Sequence, residues 1–123
     1  MNHITAIGTV AIPVTDQDRA VAFYVGTLGF ELRMDAALPQ LDGRWIVVAP
    51  PGSTTSIALQ PASDQTPAGT DTGIRLSTPD AAAAHTALAS QGVGVADLLS
   101  WPGVPPMFSF QDPDHNRLYL VEQ

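Results

Sequence analysis

Arg75 is the side chain with the sharpest chemical implication in this chain. It sits in the run Gly73-Ile-Arg-Leu-Ser77, where Ile74 and Leu76 flank a guanidinium. A guanidinium is expensive to bury without an anion. Two readings stand: an arginine that receives a carboxylate or enolate, or an ion pair with one of the chain's 12 acidic residues. Tyr119 offers a stacking face and a hydroxyl. Gln60 offers a carboxamide that orients a polar group or sits at a sheet edge. Trp45 opens one apolar run, and Trp101 opens the loop Trp101-Pro-Gly-Val-Pro-Pro106, with Met107 and Phe108 at its end. Rings on the rim of an opening are what a flat organic ligand stacks on. The alternative for both tryptophans is core or dimer packing.

Metal and nucleophile chemistry find little support. The chain has no cysteine, which removes thiolate metal sites, disulfides and cysteine nucleophiles together. His3, His85 and His115 are spread over the chain at no metal-ligand spacing. His115 stands in a turn and is read as a filler, because histidine tolerates a left-handed backbone better than most residues. His85 is read as a solvated or half-buried helix residue.

The elements that must position these groups echo one another. A short apolar strand, Thr9-Val-Ala-Ile-Pro-Val14, runs into Thr15-Asp16 and an apolar-rich helix. At an offset of 64 residues, Gly73–Ser77 runs into Thr78-Pro79-Asp80 and an Ala-rich helix. The first half reads as a strand over Thr5–Val14, a helix over Asp16–Leu28 ended by Gly29, and strands over Glu31–Met34, Trp45–Ala49 and Thr55–Gln60. Pro50-Pro51-Gly52-Ser53 joins the last two as a hairpin. The second half reads as a strand over Gly73–Ser77 and a helix over Pro79–Gln91 with Thr78 as cap and proline at its first position. Strands then follow over Val95–Ser100, Met107–Gln111 and Arg117–Glu122. The expected division is residues 1–61, a linker over 62–72, and 73–123, within one domain spanning 1–123. Short strands that include antiparallel hairpins, with one helix per half, make the expected fold class α+β, and one such half cannot cover both faces of its sheet.

Composition narrows the function classes. A charged share of 14% with an apolar share of 45% argues against disorder. A formal charge of −7 without a basic cluster argues against nucleic acid. No run reaches the ~18 apolar residues of a membrane span. Met1-Asn2-His3-Ile4 lacks the charged and apolar segments of a signal peptide, so a cytoplasmic protein is expected.

Two motifs carry a family likeness. Arg19-Ala-Val-Ala-Phe-Tyr24 is followed by Leu28-Gly-Phe30, and the chain ends in Phe110-Gln-Asp-Pro-Asp-His-Asn-Arg-Leu-Tyr-Leu-Val-Glu122. Together they resemble the vicinal oxygen chelate superfamily of glyoxalase I, bleomycin-resistance proteins, fosfomycin-resistance enzymes and extradiol dioxygenases. The resemblance implies two tandem βαβββ modules forming a cup-shaped, mostly antiparallel sheet, and a homodimer. In the family's metal enzymes four side chains, from the first and last strand of each module, hold a divalent cation. Carried over, those positions are Thr9, Ala58, Gly73 and Tyr119. A divalent cation wants imidazole or carboxylate there, and none is present, so no metal and no cofactor is expected. A register slip by two residues offers only Gln60 and Asp71 as reasonable ligands.

What remains is a cup whose inward set, by strand alternation, is Thr9, Ala11, Ser56, Ala58, Gln60, Gly73, Arg75, Arg117 and Tyr119. The expected ligand-binding residues are Thr9, Trp45, Ala58, Gln60, Gly73, Arg75, Trp101, Met107, Phe108 and Tyr119; no catalytic residue is assigned. The expected function is metal-independent binding of a small organic molecule, as drug or metabolite sequestration, with neither nucleic acid nor membrane as partner. The alternatives are a lyase, isomerase or dioxygenase with an atypical metal site or with acid–base work by Tyr119 and Arg75, and an interaction module with a vestigial cup.

Overall fold

In the computed structural model, which describes residues 3–40 and 42–123, both strand-to-helix junctions turn on an aspartate. Asp16 is extended (φ −139°, ψ 104°) and its carboxylate accepts the Arg19 N–H at 3.1 Å. Asp80 is extended in the same way (φ −150°, ψ 99°) and accepts the Ala83 N–H at 3.0 Å. Each satisfies one of the N–H groups that a helix start leaves without a partner. The echo in the sequence is thus a repeated cap. The second helix begins later than its sequence predicts: Asp80 is the cap rather than Thr78, and Pro79 lies outside the helix. Thr78 instead closes the preceding strand, its hydroxyl held to the Asp80 backbone at 3.3 Å.

The chain divides into two units, Met1–Ala68 and Gly69–Gln123. The first holds β1 (Thr9–Val14), α1 (Gln17–Val21), β2 (Glu31–Ala37), β3 (Arg44–Ala49) and β4 (Ser56–Pro61), in the sheet order β1-β4-β3-β2. The second holds β5 (Asp71–Thr78), α2 (Ala81–Ser90), β6 (Gly94–Val95), β7 (Met107–Gln111) and β8 (Arg117–Glu122), in the order β5-β8-β7-β6. This is the α+β arrangement of two βαβββ modules. Each helix carries the chain to the far edge of its sheet, and two reversals bring the last strand back beside the first. That path makes β1 and β4 parallel, and β5 and β8 parallel, while the neighbouring pairs run antiparallel.

Several elements differ in extent from expectation. β1 starts at Thr9 rather than Thr5, and β2 extends to Ala37 past a bulge between Leu32 and Met34. The strand expected over Val95–Ser100 shrinks to Gly94–Val95 and a single bridge between Leu99 and Met107; the prolines that follow have no N–H to continue a ladder. β5 begins at Asp71, two residues before Gly73. The first helix widens after Val21 into a π-helical turn over Ala22–Thr27, in which the Leu28 N–H reaches back five residues to the Phe23 carbonyl at 2.9 Å.

The two family-like motifs do structural work in each unit. Tyr24 is fully buried, with its ring 5.2 Å from Phe23 and 5.8 Å from Phe30. The Phe30 N–H closes onto the Tyr24 carbonyl at 2.9 Å. In the second motif, His115 has φ 64° and fills the turn in the left-handed form expected of it. Asn116, fully buried, accepts the Gly69 N–H at 2.9 Å and the Thr70 N–H at 3.1 Å through Oδ1, and donates to Asp112 Oδ2 at 3.0 Å. One side chain so ties the β7–β8 turn to the entry of β5. The helix-side face of each sheet carries the core: Ile12, Val14, Ile46, Val48, Ile57 and Leu59 in the first unit, Phe108, Phe110 and Leu118 in the second. Burying one such side chain stabilises the fold by roughly 1.5–3 kcal/mol.

Candidate functional site

The face of each sheet turned away from its helix is where side chains are left for other work. Alternation along a strand and the register between strands decide which they are. In the first module, Thr9 stands opposite Ser56, Ala11 opposite Ala58, and Pro13 opposite Gln60 across the parallel pair. Val47 of β3 faces Ala58, and Trp45, two residues earlier, shares that face. Thr9 and Ser56 join their hydroxyls at 2.9 Å. Ala58 is 1% exposed and contributes only a methyl group. No arginine lies on these stretches of β1, β3 and β4 except Arg44.

Trp45 and Gln60 come together in a cleft of about 330 Å³, whose lining also includes Asp42, Arg44, Ser63 and Thr66. Gln17, at the start of α1, ties the backbone at or next to two of these residues, Arg44 and Gln60. The Gln17 carboxamide donates to the carbonyls of Arg44 at 2.7 Å and Leu59 at 2.9 Å, and accepts the Arg44 N–H at 3.0 Å. Gly43 completes the close approach: a Cβ there would stand 2.7 Å from Pro61 and 2.8 Å from Gln17. The Arg44 guanidinium is engaged by Asp18 at 2.7 Å and Asp35 at 2.9 Å. Hydrogen bonds to these two carboxylates, Asp18 first, raise its pKa above the ordinary arginine value. It is an internal tie rather than a cation offered to a ligand.

The second module fills the equivalent face with charge. Asp71 stands opposite Arg117 and Arg75 opposite Tyr119. On β7, Ser109 faces Tyr119 and Gln111 faces Arg117. Between Asp71 and Arg75 the register breaks, four residues of β5 passing two of β8. Gly73, at φ 69°, makes that break, since residues with a Cβ rarely adopt this backbone. The break sets Asp71 and Arg75 on either side of Tyr119. The Tyr119 hydroxyl donates to Asp71 Oδ2 at 2.7 Å, and the Gly73 N–H to Asp71 Oδ1 at 3.1 Å. The Arg75 guanidinium lies 4.5 Å over the Tyr119 ring and donates to the Gly73 carbonyl at 2.7 Å. Arg117 approaches Asp71 at 3.8 Å. The Tyr119 hydrogen bond foremost, then the Gly73 N–H and the two arginines, hold the Asp71 carboxyl below the usual range.

Arg75 is exposed, so the premise of a buried guanidinium in need of an anion does not hold. The register, which pairs Arg75 with Tyr119, gives it an aromatic ring as partner instead. Phe108 is the clearest correction. It is 1% exposed and packs on the helix side against His85, ring to ring at 4.9 Å. Neighbours in a strand point to opposite faces, so Met107 and Phe108 cannot share one rim. Met107 takes the helix-free side, opposite Val121. Trp101 is 58% exposed at the head of a turn closed by the Val104 N–H on its carbonyl. His85 is half-buried, its Nε2 2.8 Å from the Ala96 carbonyl. Asp71, expected in the linker, and Ser109 and Gln111 were missed as site residues. Alternation from Tyr119 would have found the latter two once β7 and β8 were paired.

Thr9, Ala58, Gly73 and Tyr119, the positions carried over from metal enzymes, supply two hydroxyls, a methyl and no side chain at all. One hydroxyl is spent on Ser56 and the other on Asp71. Among the described residues no three His, Cys, Asp or Glu side chains gather closely enough to hold a metal ion. The residues present do not fit a divalent cation. No described helix is long and apolar enough to cross a membrane.

A family model described as the Glyoxalase/Bleomycin resistance protein/Dioxygenase superfamily matches residues 2–120. Among solved structures, TnmS3, an antibiotic binding protein from Streptomyces sp. CB03234, is 34% identical and superposes with a TM-score of 0.88 over 99% of this chain and 98% of its own. A superfamily member from Sphaerobacter thermophilus DSM 20745 is 36% identical, with a TM-score of 0.88 over 98% of each chain. Curated relatives match only in part. The uncharacterized protein YetH of Bacillus subtilis (strain 168) is 36% identical over 58 residues, 47% of this chain and 48% of YetH. A Shewanella frigidimarina protein is 46% identical over 55 residues, 44% of this chain and 41% of its own length. The matched region spans less than half of either relative.

Proposed function

The chain belongs to the glyoxalase/bleomycin resistance protein/dioxygenase superfamily, and on that footing we propose that it binds a small organic molecule without a metal ion, to sequester or carry it. The observation that carries this reading is the content of the helix-free faces. Where the family's metal enzymes place ligands, this chain has Thr9, Ala58, Gly73 and Tyr119. The first module also holds a cleft with an indole, a carboxamide and two hydroxyls in its lining, from Trp45, Gln60, Ser63 and Thr66. An aromatic surface with a few placed polar groups is the usual make-up of a small-molecule site. The likeness to an antibiotic binding protein over nearly the whole chain supports the same reading. A homodimer and a cytoplasmic location belong to it as well.

A thermal-shift screen of aromatic antibiotics and small carboxylates tests it. A ligand that binds only the folded chain at 100 times its Kd adds about 2.7 kcal/mol of stability, so hits are expected as rises of several degrees. Trp45→Ala is expected to weaken a hit about tenfold, as loss of a stacking wall does. A screen without hits sinks the binding reading. Near-stoichiometric zinc, nickel, iron or manganese in elemental analysis of the purified protein sinks its metal-independence. Sedimentation as a monomer at micromolar concentration removes the dimer.

A further inference from the structure

We infer that the helix-free face of the second module is an anion subsite, which takes a carboxylate or an ionised enol or phenol of the bound molecule against Arg117, with Ser109 and Gln111 as neutral donors. The inference rests on the ligand-binding reading above and names the chemistry of one group that a ligand of this chain would carry.

Charge placement is the first support. The chain has 12 acidic residues and 5 basic ones, yet both basic residues of its second unit, Arg75 and Arg117, fall on this single face. They do not neutralise an equal number of acids. Asp71 is the carboxylate beside them, and its oxygens already accept the Tyr119 hydroxyl and the Gly73 N–H. Arg75 is held over the Tyr119 ring, with one N–H on the Gly73 carbonyl. Arg117 differs. It stands 3.8 Å from Asp71, beyond hydrogen-bond length, and its side chain is 48% exposed. Among the described residues its guanidinium N–H groups meet no hydrogen-bond acceptor.

Shape is the second. A cleft of about 260 Å³ opens beside Arg117, lined by Ser109, Gln111 and the edge segment Gly94, Val95 and Ala96. Register sends Ser109 and Gln111 to this face. The Gln111 carboxamide oxygen lies 3.2 Å from His115 Nδ1, which leaves its N–H groups for a ligand. A guanidinium with a hydroxyl and a carboxamide is rich in donors, and oxyanions recruit such groups through short charge-assisted bonds. The cleft is smaller than the ~300–1,000 Å³ of drug-sized sites, so it suits one group of a ligand rather than the whole.

Benzoate and its neutral counterpart benzamide test this, titrated into the ¹⁵N-labelled full chain and followed at the arginine Nε–Hε and backbone amide resonances. Saturable shifts with benzoate are expected at Arg117, Ser109, Gln111 and Ala96, with affinity about tenfold above benzamide, as hydrogen bonds to a charged group provide. Raising salt is expected to weaken benzoate selectively, because an exposed pair is screened. Arg117→Gln should bring the two affinities together, and Arg117→Lys should keep part of the preference. Equal responses to both probes, shifts confined to other regions, or a preference that survives Arg117→Gln would overturn the subsite. The parent reading fails differently. A protein that keeps an Arg117-dependent preference for benzoate yet meets no antibiotic loses sequestration and keeps the subsite. Hits that are all neutral or cationic, without a benzoate preference, do the reverse.

Discussion

In the first module Ala11 faces Ala58 across the parallel strand pair; in the second the same place is held by Arg75 facing Tyr119. One pair further along, a Thr9–Ser56 hydroxyl pair answers an Asp71–Arg117 ion pair. The strands run in the same order in both halves. The repeated topology decides where a helix-free face lies and which places on it are equivalent. It leaves the chemistry of those places to each half. One half offers small, neutral and apolar groups and a cleft with an indole in its lining, and the other offers charge. The halves also share a device placed differently: a single carboxamide that closes the module. Gln17 joins the ends of β3 and β4 from the helix, while Asn116 joins the β7–β8 turn to β5.

The carboxamides give the largest expected effects. Asn116 is fully buried, and Asn116→Ala strips partners from two N–H groups and the Asp112 carboxylate. A loss of about 3 kcal/mol is expected, in line with buried groups left unsatisfied. Gln17 is only partly buried, so water can replace it, and Gln17→Ala is expected to cost about 1–2 kcal/mol. Urea midpoints of the two variants check the order; a larger loss from Gln17→Ala would break it.

Gly73→Ala comes next. Its left-handed backbone has no counterpart at Thr9, and a Cβ there costs roughly 1–2 kcal/mol. The strain should also loosen the β5 break that sets Arg75 over Tyr119. Loss of upfield ring-current shifts at the Arg75 methylenes would report it, and an unchanged urea midpoint would show that the break is not strained.

The smallest effect is the pH response of Asp71. Its carboxyl titrates below the ordinary range in the folded chain, chiefly through the Tyr119 hydroxyl. The unfolded chain therefore binds a proton more readily. The stabilisation is present above the ordinary carboxylate pKa of about 3.9 and fades as pH falls through the lowered folded value. Tyr119→Phe should return the Asp71 titration, followed by carboxyl ¹³C shifts, toward the ordinary value. A curve that does not move would place the cause elsewhere.

Much of the fold was legible because its signals are local. Asp16 marks the first helix start through a short-range hydrogen bond, whereas the second was read at Thr78 and Pro79 and begins after Asp80; the bounds of β7 and β8 are those read from the chain. The Leu28-Gly29-Phe30 run and the Asp112–Asn116 turn likewise act within a few residues of themselves. The π-helical turn at Ala22–Thr27 was not read from the chain, where Ala20, Val21, Tyr24, Val25 and Leu28 recur at ordinary helical spacing. The site was less legible than the fold. Phe108 looked like a rim residue beside Met107 and went to the core, since assignment to a face reverses with every step along a strand.

Read alone, the chain carries its family likeness and its doubled module, since each depends on which residues are present or on short spacings between them. That Arg75 lies exposed over Tyr119, that Asp71 belongs to a strand, and that Arg117 shares a cleft with Ser109 and Gln111 came from the folded chain. Those relations join residues up to 48 positions apart. They depend on a register that the break at Gly73 shifts by two residues, a displacement that no local pattern in the sequence records.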